Sequence, residues 1–283
     1  MAEGQGYVYC LLLYILAHLF GASAMVWVGL WIDFNGSGFG FHERADLEFK
    51  FHPICMALSL VFLNGEAMML YRGLRFWPKY ITKAIHVLLH TVCFVFMVLG
   101  IQAAFDYHNY HRTNGVITPT ANALYPHSWV GLATASLYGV QYAGGLIFFY
   151  FPPTPMHVRA AVMPAHRAFG MLIFAFSLGA ALMGTGEKSA FSLSCKPSGT
   201  LCTENLYVNF FALSLMGYGA CVLLITMPPQ WIRKPLPDEI PPAAQVLQIH
   251  PHPQNGHDNH WAVASSSSPN GHDEHHDPYK TSL

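Results

Sequence analysis

The chain has 283 residues, of which 53% are hydrophobic and only 10% are Asp, Glu, Lys or Arg. Its formal net charge is -1 and its mean hydropathy +0.31. That balance excludes a soluble globular domain of this size, and the near-neutral charge carries no signature of nucleic-acid binding. The expectation is an all-α protein integral to a lipid bilayer.

A helical span needs about 20 mostly apolar residues. Six stretches qualify, at about residues 8–32, 52–71, 84–105, 127–151, 163–184 and 206–227. The first follows a short, weakly acidic N-terminus with no basic n-region and no small-residue cleavage site, so it reads as a retained span. Asn35-Gly36-Ser37, just beyond it, is a glycosylation sequon. The second span contains Glu66, the only acid within any of the six, six residues before Arg72. It is expected to pair with a cation near that end or to stay protonated.

Cations set the orientation. Arg72, Arg75, Lys79 and Lys83 fall between spans two and three with no acid among them; Arg159 and Arg167 flank the start of span five, and Arg233 and Lys234 follow span six. The opposite loops are mixed or acidic. The positive-inside rule therefore places both termini in the cytosol.

Four histidines open four consecutive spans: His52, His86, His127 and His166. Imidazole beside hydrocarbon is expensive, and its presence points to function. The chain reverses at each span, so His52 and His127 share the non-cytosolic depth, and His86 and His166 the cytosolic one. Two equal-depth pairs suit two redox centres stacked across a membrane, because imidazole is a standard axial ligand of haem iron. His18 and His90 read more simply as hydrogen-bonded packing residues. Spacing alone leaves His90, one turn deeper than His86 on the same face, as an alternative ligand. Gly131, Gly139, Gly144, Gly145, Gly170 and Gly179 either let helices approach or leave room for a porphyrin.

Cys10, Cys55, Cys93 and Cys221 lie within spans as small apolar fillers. Cys195 and Cys202 share a loop assigned to the oxidising side and are a candidate disulfide. From Pro228 to Leu283 the composition turns to Pro, His, Ser and Asn. This divides the chain into a membrane domain, 1–227, and a disordered cytosolic tail, 228–283. The tail's histidines are weak metal ligands at most, and its final Thr281-Ser282-Leu283 matches a PDZ-binding end only in its last three residues.

The motifs Phe49-Lys-Phe-His-Pro53, Leu70-Tyr-Arg72, Lys83-Ala-Ile-His86, Phe105-Asp-Tyr-His108, Leu124-Tyr-Pro-His-Ser-Trp129, Arg159-Ala-Ala-Val-Met-Pro-Ala-His166 and Gly184-Thr-Gly-Glu-Lys188 follow one another in order across spans two to five. The chain resembles the cytochrome b561 family, the transmembrane ascorbate-dependent reductases, and its animal secretory-vesicle branch in particular. The resemblance implies a four-helix bundle of spans two to five around two b-type haems, one held by His52 with His127 and one by His86 with His166. It favours His86 over His90. It also implies a homodimer in a secretory-vesicle, endolysosomal or plasma membrane.

Lys79 and Lys83, four apart on one helical face, with Arg72 and Arg159 beside them, form a cationic surface suited to ascorbate, a monoanion. The family uses these positions for ascorbate. At the other end Phe105, His108, Asn109, Asn122 and Tyr125 are the expected acceptor site, for monodehydroascorbate or ferric iron. Here the sequence departs from the family's usual Tyr-Ser-Leu-His-Ser-Trp by one residue fewer between Tyr125 and His127. Glu66 is a second departure, at a position where the family carries an uncharged residue. The absence of a dinucleotide fingerprint or phosphate loop argues for a small soluble electron donor. The rival reading, a divalent-metal transporter using membrane histidines, is weakened by their place near the interfaces and their lack of acidic partners.

Overall fold

Inside hydrocarbon every backbone amide and carbonyl must be paired within the protein, which makes helices the solution for long apolar runs. The computed structural model describes residues 3–34, 36–41, 44–151, 154–191, 202–236 and 239. Six helices among them are long and apolar enough to cross a membrane. They are α1 (Glu3–Asp33), α2 (Ala45–Gly73), α3 (Lys79–Tyr110), α4 (Pro126–Tyr150), α5 (Met156–Phe191) and α6 (Thr203–Thr226). The chain is thus the all-α membrane protein expected, and each expected span falls on one helix.

The helices overrun the apolar stretches that announce them. α3 has 32 residues and α5 has 36. At 1.5 Å per residue these are about 48 and 54 Å long, against a hydrocarbon thickness of about 30 Å. Pro164 lies inside α5, two residues before His166, and the helix passes through it. Within α2, residues Ala57–Leu63 widen into a π-helical segment, and Leu146–Tyr150 does the same at the end of α4. A two-stranded antiparallel hairpin, β1 (Arg112–Thr113) and β2 (Val116–Ile117), decorates the α3–α4 connection.

Packing follows three pairs: α1 on α6, α2 on α3, and α4 on α5, while α3 and α4 touch little. The α1–α6 contact buries Val28, Val208, Leu215, Val222 and Ile225 in one apolar cluster with Phe174 of α5. It is close because a Cβ at Gly217 would sit 2.7 Å from the Phe20 ring. A second cluster, Leu60, Cys93, Met97, Ala135, Tyr138 and Ile173, joins α2 to α5 in the interior.

Glu66 does not reach the cations near the end of α2. Its carboxylate lies 3.2 Å from His18 Nε2 on α1 and accepts a hydrogen bond of 3.2 Å from the Tyr218 hydroxyl on α6, which also reaches the Phe62 carbonyl at 2.7 Å. His18, read from sequence as a packing residue, is therefore the partner of the one acid within the expected spans. The reason is geometric: Glu66 sits on the outer face of α2, toward α1 and α6, whereas the cations gather at the helix ends.

At the end of the bundle where α1 begins, Arg72 is buried and donates to the Thr226 and Pro228 carbonyls, closing the C-terminus of α6. The chain then makes a 3₁₀ turn, Pro229–Trp231. Arg233 grips both oxygens of Glu239 at 2.7 Å and the Trp77 carbonyl at 2.9 Å. Glu239 also accepts from the amides of Lys79, at 2.7 Å, and Leu236, at 3.1 Å. Composition assigned this stretch to the tail; an ion pair between two residues six apart is invisible to composition. Residues 240–283, with the tail histidines, lie outside the described residues, as do Asn35 of the sequon and Cys195.

Two outcomes follow from these contacts. Tyr218→Phe removes a buried hydroxyl with two acceptors and is expected to destabilise the α1–α2–α6 contact by about 1–2 kcal/mol, read as a lower melting temperature in detergent. The hydrogen bonds from Arg233 hold the Glu239 carboxyl down from 4.5 to about 2. A depressed carboxyl contributes stability above its unfolded value and loses it as pH falls through its folded value. The difference in acid stability between the native chain and Glu239→Gln should therefore be constant near neutral pH and vanish only between 4.5 and about 2.

Candidate functional site

Imidazole can ligate a metal only through a neutral ring nitrogen, and the other nitrogen must give its hydrogen to a fixed acceptor. Three of the four span-entrance histidines have that acceptor in a helix carbonyl. His52 Nδ1 is 2.9 Å from the Gly100 oxygen, His86 Nδ1 is 2.9 Å from Ala67, and His127 Nδ1 is 2.8 Å from Ala180. A carbonyl has two lone pairs, so each can serve its own helix and a histidine together. In each case Nδ1 donates, which leaves Nε2 with a free lone pair.

His166 is held differently. The Gln141 amide nitrogen lies 3.0 Å from its Nδ1 and 2.6 Å from its backbone oxygen. The bond to the carbonyl fixes the amide nitrogen as the group facing the ring, so in this arrangement Nδ1 accepts and Nε2 carries the hydrogen. Ligation through Nε2 would require the Gln141 amide to leave that carbonyl and turn its oxygen to Nδ1. Gln141 was not foreseen; the signal was a lone amide in the apolar run Leu137-Tyr-Gly-Val-Gln-Tyr142.

The fold brings the four together in the expected pairs. The ring centres of His52 and His127 are 6.0 Å apart, and those of His86 and His166 are 6.5 Å apart. Two metal–imidazole bonds of about 2 Å, with the ring radii added, set opposed imidazole centres about 6 Å apart. Both separations match the distance that a pair holding one iron between its rings would need. A Cβ at Gly131, Gly144 or Gly179 would meet nothing within 4 Å, so these glycines leave room and do not make close helix contacts. Close approach comes from others. A Cβ at Gly184 would lie 2.8 Å from the His127 ring, and one at Gly100 2.9 Å from Met56 Sδ. Glycine at these two positions lets His127 and His52 reach their places.

His90 has a partner of its own. Its Nδ1 is 2.8 Å from the Tyr138 hydroxyl, and its ring lies edge-on to His86 with centres 4.4 Å apart. Tyr138 is buried between the two histidine pairs.

The cations expected to meet a donor collect at the end where α1 begins. Lys79 is exposed at the start of α3, and Lys83 lies with its ammonium 5.7 Å from the Tyr150 ring centre. Arg159 donates to the Thr154 carbonyl at 2.7 Å and is within electrostatic range of Lys83. Arg72, grouped with them by sequence, is the buried cap of α6 described above.

At the opposite end the expected acceptor residues make two side-chain hydrogen bonds that bridge the ends of the α3–α4 connection. His108 Nδ1 is 2.8 Å from the Thr120 hydroxyl, and Asn122 donates to Asn109 at 2.9 Å. Phe105 is half-buried on α3, and Tyr125 is half-exposed at the N-cap of α4, directly before Pro126 in the first turn. Cys202 is disulfide-bonded; its expected partner, Cys195, lies outside the described residues. Among the described residues no group of three or more His, Cys, Asp or Glu side chains could hold a bare metal ion.

Comparison with known proteins identifies the family. The eukaryotic cytochrome b561 family profile matches residues 51–192. A Caenorhabditis elegans protein named as a homologue of the transmembrane ascorbate-dependent reductase is 38% identical over 227 residues, 80% of this chain and 85% of its own length. The mouse transmembrane ascorbate-dependent reductase is 35% identical over 217 residues, 77% of this chain and 83% of its own. The pig protein of the same name is 36% identical over 223 residues, 79% and 84% of the two chains. By its profile, its helices and its paired histidines, the chain belongs to the eukaryotic cytochrome b561 family.

Proposed function

We propose that this protein carries electrons across a membrane from cytosolic ascorbate to monodehydroascorbate or ferric iron on the other side. The observation that carries the reading is the placement of two histidine pairs, on alternating helices, toward opposite ends of one bundle. When bound, two b-type haems supply the reversible one-electron chemistry.

The protein's own residues do the rest. The cation-rich end faces the cytosol by the positive-inside rule. There Lys79, Lys83 and Arg159 concentrate and orient the ascorbate monoanion. Its oxidation to monodehydroascorbate releases one electron and one proton. His86 with His166 would hold one haem and His52 with His127 the other, through neutral ring nitrogens; His90 stays with Tyr138 as a neighbour. At the far end, His108, Asn109 and Asn122 offer hydrogen bonds to an acceptor beside Phe105 and Tyr125. Reduction there takes up one electron, together with a proton for monodehydroascorbate and none for ferric iron.

The purified protein is expected to show two b-type haems per chain, both reduced by ascorbate. His52→Ala and His127→Ala should each lose one haem and keep the other, measured by haem content and the visible spectrum. Gly184→Ala should produce the same loss, because its methyl group displaces the His127 ring. A colourless protein would sink the proposal. For the donor surface, Lys79→Ala with Lys83→Ala is expected to raise KM for ascorbate about tenfold at low salt, with the gap narrowing as ionic strength rises. Equal KM values at every salt concentration would place the donor elsewhere.

A further inference from the structure

The chain leaving α6 crosses the bundle end at which α3 begins and is tied there at both edges. Arg72 anchors it at Thr226 and Pro228. Arg233 fixes it to the Trp77 carbonyl, and Glu239 accepts the Lys79 amide. Lys79 is the first residue of α3, and Pro78 before it gives no side-chain cap. A helix start needs acceptors for its free amides and favours negative charge. Here the cap comes from a carboxylate 160 residues away in sequence.

That carboxylate is oriented, not loose. Both its oxygens are gripped by Arg233, and the two side chains are only 7% and 17% exposed. The pair is neutral as a unit. Among the described residues neither Lys79 nor Lys83 makes a salt bridge. An acid at the first residue of α3 would ordinarily cancel part of the attraction of this end for an anion. Arg233 prevents this by committing Glu239 to itself and to the helix amide. Lys79, Lys83 and His86 lie at i, i+4 and i+7 of α3, so whatever sets its first turn sets the donor surface relative to the nearest histidine.

We propose that the Arg233–Glu239 clasp is a positioning element of the ascorbate site: it fixes the first turn of α3 so that Lys79 and Lys83 meet the anion with their charge intact. The inference rests on the assignment of Lys79, Lys83 and Arg159 to ascorbate. Glu239 itself touches no reactant and acts through Lys79.

The test uses the full-length, haem-loaded protein with Glu239→Ala and Glu239→Gln, each checked for unchanged haem content. Ascorbate is compared with a neutral hydroquinone as reductant, and amide hydrogen exchange is followed at residues 79–82. Glu239→Ala is expected to raise KM for ascorbate about fivefold, as for loss of a helix cap, with kcat and hydroquinone reduction unchanged and exchange faster. Glu239→Gln keeps an oxygen for the Lys79 amide and should fall between. If it keeps the native KM while exchange quickens in both variants, or if KM is unchanged or falls in Glu239→Ala, the inference is overturned. Should Glu239→Ala lose haem, Glu239→Gln alone decides between a raised and an unchanged KM. A native protein that ascorbate does not reduce would remove the donor-site assignment first, and the clasp's role with it.

Discussion

A histidine in hydrocarbon is ready to act as a ligand when something takes the hydrogen of its second nitrogen, and for three of the four in this bundle that acceptor is the backbone of a neighbouring helix. His52 leans on Gly100, His86 on Ala67 and His127 on Ala180. The pairing runs across helix partners: α2 with α3 in both directions, and α4 with α5. A carbonyl inside a helix can accept a second hydrogen bond only if the incoming ring comes within about 3 Å of the backbone, which demands close interhelical contact. The glycines at 100 and 184 provide that contact. Much of the arrangement follows from this one requirement, because helices pressed together tightly enough to orient the rings are also fixed in depth and rotation.

The close pairs contrast with the loose one. α3 and α4 touch little, and it is across the division between the α2–α3 and α4–α5 pairs that His52 faces His127 and His86 faces His166. The bundle therefore separates two tasks. Contacts within each helix pair set the orientation of the rings, and the separation between pairs sets the distance across which they face. α1 and α6 stand outside, joined by a continuous apolar cluster and by the polar contact among His18, Glu66 and Tyr218.

Much of this was legible in the sequence. Hydropathy placed all six helices, and the alternation of four histidines foretold which would meet. What hydropathy could not mark was where helices end, since the amide–carbonyl ladder of α3 and α5 continues through polar residues such as Lys79 and Glu187. The acceptors of the ring hydrogens were illegible for a different reason: backbone carbonyls have no residue identity, so Ala67 and Ala180 look like any alanine. Arg72 illustrates a third limit. A cation near a cationic site is grouped with it by sequence, yet its guanidinium is buried on the end of α6. Glu66 went to His18 instead of to those cations because a helix has several faces, and linear distance to Arg72 says nothing about which one an acid occupies.

The π-helical segment at Ala57–Leu63 gives α2 a phase that an ordinary helix would lack. One end of α2 must aim His52 toward α4, while the other must turn the Ala67 carbonyl toward His86 on α3. A π turn accommodates one extra residue, and each residue of an α-helix advances the face by about 100°. Were this segment to wind as regular helix with every residue kept, everything beyond it would rotate by about that angle. Ala67 would swing off His86, and Glu66 off His18, with no side chain at either site altered. The two ends of the molecule are thus indexed to each other through the winding of one helix, and the length of that winding is as much part of the site as the histidines are.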